Sequence, residues 1–113
     1  MTISRKSETE LVLETYLTEL GIYWRAEVQF APPRKWRFDY YVWKCNNGRQ
    51  GVGIEIEGGG WVAGRHTRGK GFENDLEKYA TATAMGITVF RFSPEQIKTG
   101  RAKDFLKRWL EVR

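Results

Sequence analysis

Apolar residues recur along this chain with two periods, and the changes of period mark its elements. Leu13, Tyr16, Leu17 and Leu20 fall at helical spacing, and one face of a helix repeats in that way. Ser7 followed by Glu10 reads as a capping box ahead of the stripe and Gly21 as its stop, so a helix is expected over about 7–20. Residues 23–30 alternate loosely as a strand and end at Ala31-Pro32-Pro33, which cannot continue a ladder. Residues 36–43 and 51–57 alternate with period two around the turn residues Cys45, Asn46, Asn47 and Gly48, which predicts a hairpin. Phe72, Leu76, Tyr79, Ala80 and Thr83 return to helical spacing, the expected buried stripe of a helix over 72–85 that Gly86 ends. A short apolar strand over 87–92 carries one interposed charge, Arg91. Ser93, Pro94 and Gln96 then combine an N-cap, a first-turn proline and the third-position glutamine of a capping box. The last helix, broken at Gly100, has Phe105, Leu106, Trp109 and Leu110 as its apolar side.

A helix, a three-stranded meander, then a helix-strand-helix run predicts an α/β sandwich: a central mixed sheet flanked by helices in the order α-β-β-β-α-β-α. Residues 1–113 suit one domain, and with 41% hydrophobic residues and five tryptophans the chain can bury one core without staples. There are no internal repeats or low-complexity tracts.

The hairpin carries the chemistry. Glu55 and Glu57 alternate with Val52, Ile54 and Ile56, so the two carboxylates share the face that the aliphatic residues do not. The turn sets where Asp39 goes. A two-residue Asn47-Gly48 turn pairs Asp39 with Ile56 and inverts its facing, because a slip of one residue turns a strand over. A three-residue loop, Asn46-Asn47-Gly48, sets Asp39 across from Glu55 and puts Phe38, Tyr40 and Val42 on the face of Val52, Ile54 and Ile56. The hydrophobic pattern favours the second register. Like charges facing each other across a sheet are destabilising without a compensating cation, and hard oxygen donors suit Mg²⁺ or Mn²⁺.

Charge extends the picture without fixing it. The formal net charge is +5, which attracts any polyanion and by itself argues only non-specific affinity. Arg34, Lys35 and Arg37 lie close before Asp39, and Arg65, His66, Arg68 and Lys70 populate a glycine-rich loop after Glu57, a set suited to clamping a phosphate backbone. That loop lacks the Gly-Lys-Ser/Thr pattern of a nucleotide site. The one cysteine, Cys45, excludes an internal disulfide framework and a cysteine-based zinc site. No apolar run approaches a membrane span and the first residues lack a signal-peptide core, so a soluble, cytoplasmic protein is expected.

These residues resemble a known family. Glu10 in the first helix, Asp39 in FDY, Glu55 in GIEIEGG, the GRHTRGKGF loop and the EKY helix before TVFRF together are similar to the PD-(D/E)XK nucleases of the restriction-endonuclease-like fold, in particular the small phage-type resolvase-like members. The resemblance spans about residues 7–97. It implies a Mg²⁺- or Mn²⁺-dependent DNA endonuclease with Asp39 and Glu55 as metal ligands and Glu10 as a possible third. It also implies branched duplexes such as Holliday junctions as substrate and a homodimer as the working form. One position departs: where the family pattern expects lysine, this chain has Glu57. Some members take that lysine from the following helix, which makes Lys78 the matching candidate, with Lys70 and His66 as alternatives.

Each candidate has a plainer reading. Asp39 and Glu55 can be a solvated acidic face, although the aromatics Phe38, Tyr40, Tyr41 and Trp43 around them argue burial, and buried carboxylates require partners. Glu10 can simply complete its capping box, Glu57 can pair with Arg37, Lys78 with Asp75 or Glu77, and His66 can be an ordinary surface residue. Trp61 can stack on a base or belong to the core. As a whole, the chain can be a nucleic-acid-binding module without catalysis, a general nuclease without branch preference, or a Mg²⁺-stabilised structural domain.

Overall fold

The computed structural model describes residues 6–44, 51–57 and 70–112. Helix α1 (Glu8–Glu19) starts at Ser7, whose side chain accepts from the Glu10 amide while Glu10 reaches back to the Ser7 amide, the reciprocal box expected. Strands β1 (Tyr23–Gln29), β2 (Arg37–Trp43) and β3 (Val52–Ile56) follow, then α2 (Lys70–Ala84), β4 (Thr88–Phe92), α3 (Pro94–Lys98) and α4 (Arg101–Val112). Gly21, Gly86 and Gly100, the three helix stops, all have positive φ, a conformation glycine adopts without steric cost.

The four strands form one sheet in the order β1-β2-β3-β4, antiparallel except for the parallel pair β3 and β4. Helices cover both faces. On one, Leu13 and Leu17 of α1, Ile97 of α3, and Ala102, Leu106 and Trp109 of α4 close over Tyr40, Val42, Val52, Ile54 and Phe92. On the other, Ala82 of α2 joins Phe30, Trp36 and Phe38, with Tyr41, Ile87 and Val89 packed against them. Each large side chain buried in this way contributes about 1.5–3 kcal/mol. Among the described residues no helix is long and apolar enough to cross a membrane.

Two expectations about facing are corrected. Phe38 does not stay with Tyr40 and Val42; it belongs to the α2 side. The switch falls beside Glu27 of β1, which has φ 53° between the pairs Ala26↔Tyr40 and Val28↔Phe38. Non-glycine residues enter that region only at a cost of about 1 kcal/mol or more, so the strand pair is kinked here. Helix α2 is also turned relative to its expected stripe. Phe72 and Leu76 are exposed, and the residues applied to the sheet are Ala82 with the half-buried Lys78 and Tyr79. What α2 covers at that point is a carboxylate of β3, and long side chains with polar ends satisfy it where leucine would not.

The glycines in and just before β3 have a steric reason. A Cβ on Gly53 would lie 2.6–2.7 Å from ring carbons of Phe38, and one on Gly51 would run into the Tyr41 ring. Gly53→Ala is therefore expected to destabilise the protein by about 1–3 kcal/mol, the range of an overpacked core, read as a lowered urea midpoint with an unchanged m-value.

A second expectation concerns alkaline pH. The buried Tyr40 hydroxyl donates to Glu14; burial first, then this hydrogen bond and the charges of Glu14, Glu10 and Asp39, hold its pKa far above the ordinary tyrosine value. Below pH about 10 both states keep the proton, so this stabilisation is complete there. Above it the unfolded chain releases a proton that the folded chain retains, and stability falls with rising pH. Tyr40→Phe should remove up to about 1.4 kcal/mol per pH unit of that fall, measured by denaturant titration between pH 9 and 12.

Candidate active site at the end of strands β2 and β3

The ladder between β2 and β3 pairs Tyr40↔Ile54, Tyr41↔Gly53 and Val42↔Val52, the register in which Asp39 and Glu55 stand opposite at the next step. The described cross-strand pairs stop there. Asp39 takes over the pairing role of the backbone: its Oδ2 accepts from the Ile56 amide at 2.8 Å. The kink beside Glu27 accounts for this position, since Asp39 sits between Phe38 on one face and Tyr40 on the other. One carboxylate of the pair is thus fixed to the peptide that follows the second.

Glu55 points under α2. Its Oε2 accepts from Lys78 Nζ at 2.6 Å and its Oε1 from the Tyr79 hydroxyl at 2.7 Å. The Lys78 and Glu55 side chains are only 13% and 12% exposed, so two charges have been largely withdrawn from water. Such a pair persists when its geometry is good and further donors satisfy what remains, as Tyr79 does here. The Lys78 ammonium lies 5.7 Å from the centre of the Phe38 ring and 5.3 Å from that of Tyr79, so aromatic rings flank the ion pair. Burial, then the bond to Glu55, pushes the Tyr79 hydroxyl well above its ordinary pKa, so it stays a donor into the alkaline range as well.

Glu57 has a different partner from the one expected. It pairs with Arg91 of the neighbouring parallel strand at 2.9 Å, while Arg37 pairs with Glu27. The guanidinium of Arg91 lies 4.8 Å from the centre of the Tyr79 ring, and the hydrogen bond to Glu57 raises its pKa further. Arg91 is opposite Glu55 in the β3–β4 register. Glu57, Arg91, Tyr79 and Glu55 therefore form a continuous chain of contacts.

Other predicted residues are not brought to this place. The Glu10 carboxylate is held on the Ser7 amide, the local partner one turn away, so it completes the cap. The α1 acid that reaches the sheet is Glu14, which accepts from Tyr40 and pairs with Lys6 at 2.7 Å. Arg34 stacks on Trp36 at 3.7 Å and bonds to Asn74 and Glu77, fastening the β1–β2 connection to α2. Lys35 is exposed. Arg65, His66, Arg68, Trp61 and the turn around Asn47 lie outside the described residues, as does the Lys70 side chain. Tyr79 and Arg91 were not singled out from sequence as functional, although the one charge inside an apolar strand was the available signal for Arg91.

Among the described residues, no group of three or more Asp, Glu, His or Cys side chains is arranged to hold a metal ion. The donor set that remains, one carboxylate on each of the paired strands β2 and β3, is of the type that suits a hydrated Mg²⁺ or Mn²⁺, which commonly takes one or two carboxylates and completes its shell with water and substrate phosphate. It does not fit a thiolate or imidazole metal site. No protein-family model matches this chain, nor does any curated protein or solved structure.

Proposed function

We propose that this protein is a metal-dependent DNA endonuclease of the PD-(D/E)XK type, with a restriction-endonuclease-like sandwich as its fold. The observation that carries the reading is the ammonium of Lys78 at 2.6 Å from Glu55: the lysine absent from the strand is present beside the acid, delivered by α2. The α-β-β-β-α-β order around a four-stranded mixed sheet supports it, as does Asp39 at the adjoining end of β2.

In this reading Asp39 and Glu55 would hold a Mg²⁺ or Mn²⁺ ion, which when bound supplies charge stabilisation to the phosphoryl and leaving oxygens. Lys78 directs a positive charge at the same place, where it can orient the attacking water or neutralise a phosphate oxygen. The net charge of +5 would attract the DNA backbone without reading bases. The resemblance to resolvase-like members favours branched duplexes and a homodimer with two sites, by analogy of family.

One observation favours a second reading. Both Glu55 oxygens already have donors, which suits a structural ion pair in a non-catalytic nucleic-acid-binding domain.

Cleavage of four-way junctions and linear duplex with Mg²⁺ or Mn²⁺ separates the two. Asp39→Asn and Glu55→Gln should abolish cutting while DNA binding survives or strengthens, because each removes a negative charge that repels phosphate. Folded parent protein that binds DNA and never cuts it supports the binding module instead. A preference for the junction over linear duplex would support the resolvase-like substrate; equal cutting by a monomer would leave a general nuclease.

The two lysines should differ in kind. Lys78→Ala is expected to lower turnover about 100-fold or more, the scale of a positioned acid-base group, with little change in DNA affinity. Lys70→Ala should weaken binding and its salt dependence while turnover at saturation stays near parental. Exchanged phenotypes would move the chemistry from the helix to the loop.

A further inference from the structure

The three contacts beyond Lys78 reach Glu55 by an indirect route that the cleavage reading leaves unused. Tyr79 is the only tyrosine on α2, and its hydroxyl is spent on Glu55 at 2.7 Å. Its ring carries the Arg91 guanidinium at 4.8 Å, and Arg91 is in turn held by Glu57 at 2.9 Å. The Glu57 amide donates to the Phe92 carbonyl at 2.8 Å, so the start of this route is anchored on the β3–β4 pair.

A carboxylate with one donor can swing about its side-chain torsions. Glu55 has a second donor on its other oxygen, from the adjacent residue of the same helix, so its plane is fixed by two points. The tyrosine that supplies the second point is half-buried, and the Arg91 guanidinium lies 4.8 Å from the centre of its ring. Glu57 occupies the place where the related nucleases carry lysine, and in this chain it faces a cation instead of supplying one.

We infer that Tyr79 is a positioning residue that orients Glu55 for a divalent cation, and that Glu57 serves through Arg91 to hold Tyr79 and is neither a ligand nor the base. This rests on the reading of Glu55 as a cation ligand. It gives position 57 a function that does not require the motif lysine.

The test measures Mn²⁺ affinity of the full chain without DNA, by calorimetry or by the electron paramagnetic resonance of free Mn²⁺, beside turnover and thermal midpoint. Tyr79→Phe keeps the ring under Arg91 and removes only the donor. It should weaken Mn²⁺ binding about 10- to 100-fold, as loss of an outer partner of a metal ligand does, and raise the Mn²⁺ concentration for half-maximal turnover by the same factor. Turnover at saturating Mn²⁺ should recover to near parental. Arg91→Lys keeps the charge and loses the planar guanidinium; it should weaken binding about two- to five-fold in the parent, the scale of an exposed cation–π contact, and have no further effect in the Tyr79→Phe background. Glu57→Gln should weaken binding at least as much, since it also removes a negative charge.

Parental Mn²⁺ affinity in Tyr79→Phe, with binding lost in Glu55→Gln, overturns this inference and leaves the nuclease reading standing. Loss of binding in Glu57→Gln as complete as in Asp39→Asn also overturns it, because Glu57 would then be a ligand. A folded parent that binds no Mn²⁺ overturns both.

Discussion

The placement of α2 depends on a largely buried ion pair. Glu55 stands near the end of β3 on a face lined by aromatic rings and glycine, and a largely buried carboxylate there is costly unless it meets a cation and a hydrogen-bond donor. Lys78 and Tyr79, consecutive on α2, provide both. This requirement sets the rotation of the helix: with Lys78, Tyr79 and Ala82 turned to the sheet, Phe72 and Leu76 are carried to the outside. A helix packed by hydrophobic area alone would have turned the other way. The polar contact wins because leaving an unpaired charge buried costs several kcal/mol, whereas Phe72 and Leu76, 42% and 50% exposed, forgo only part of about 1.5–3 kcal/mol each.

The same face explains the strand beneath. Gly51 and Gly53 leave the space into which the rings of Tyr41 and Phe38 lie across β3. Phe38 can do so only because β2 changes facing beside Glu27, and that change is also what leaves Asp39 between the strands with its carboxylate on the Ile56 amide. One irregularity in β1–β2 therefore provides the lining of the Lys78 ammonium and the position of the second acid. A strained backbone persists where its surroundings are well packed, and here Phe30, Trp36 and Ala82 pack around Phe38.

Much of this could be read from the sequence, for reasons that are local. The capping boxes at Ser7 and Ser93 and the glycine stops at 21, 86 and 100 involve residues within one turn of each other, and all are present. The β2–β3 register followed from the apolar pattern of two neighbouring strands. The approach of Lys78 to the acids followed from the need of α2 to pack back over β3. Features that depend on distant residues were not readable. The partner of Glu57 is on β4, which sequence places after a helix, so the nearer Arg37 looked equally suitable. The kink at Glu27 leaves no trace in an alternating pattern, and Phe38 was accordingly assigned to the wrong face. Glu10 was the more prominent acid of α1 because it lies on the line of Leu13 and Leu17, but a local amide claimed it, and Glu14, one turn later, is the one that meets Tyr40.

The charge balance at the end of β3 gives Glu57 a physical rationale. Asp39, Glu55 and Glu57 against Lys78 and Arg91 leave one negative charge in excess, counting formal charges. A lysine at position 57, with Lys78 already on α2, would turn that deficit into an excess of positive charge beside Arg91 and oppose the approach of a divalent cation. With glutamate there the end of β3 keeps its excess negative charge, and Arg91 keeps a partner. The two ion pairs are thus parts of one electrostatic arrangement: the Lys78 ammonium is kept beside Glu55, and Glu57 is the partner of Arg91.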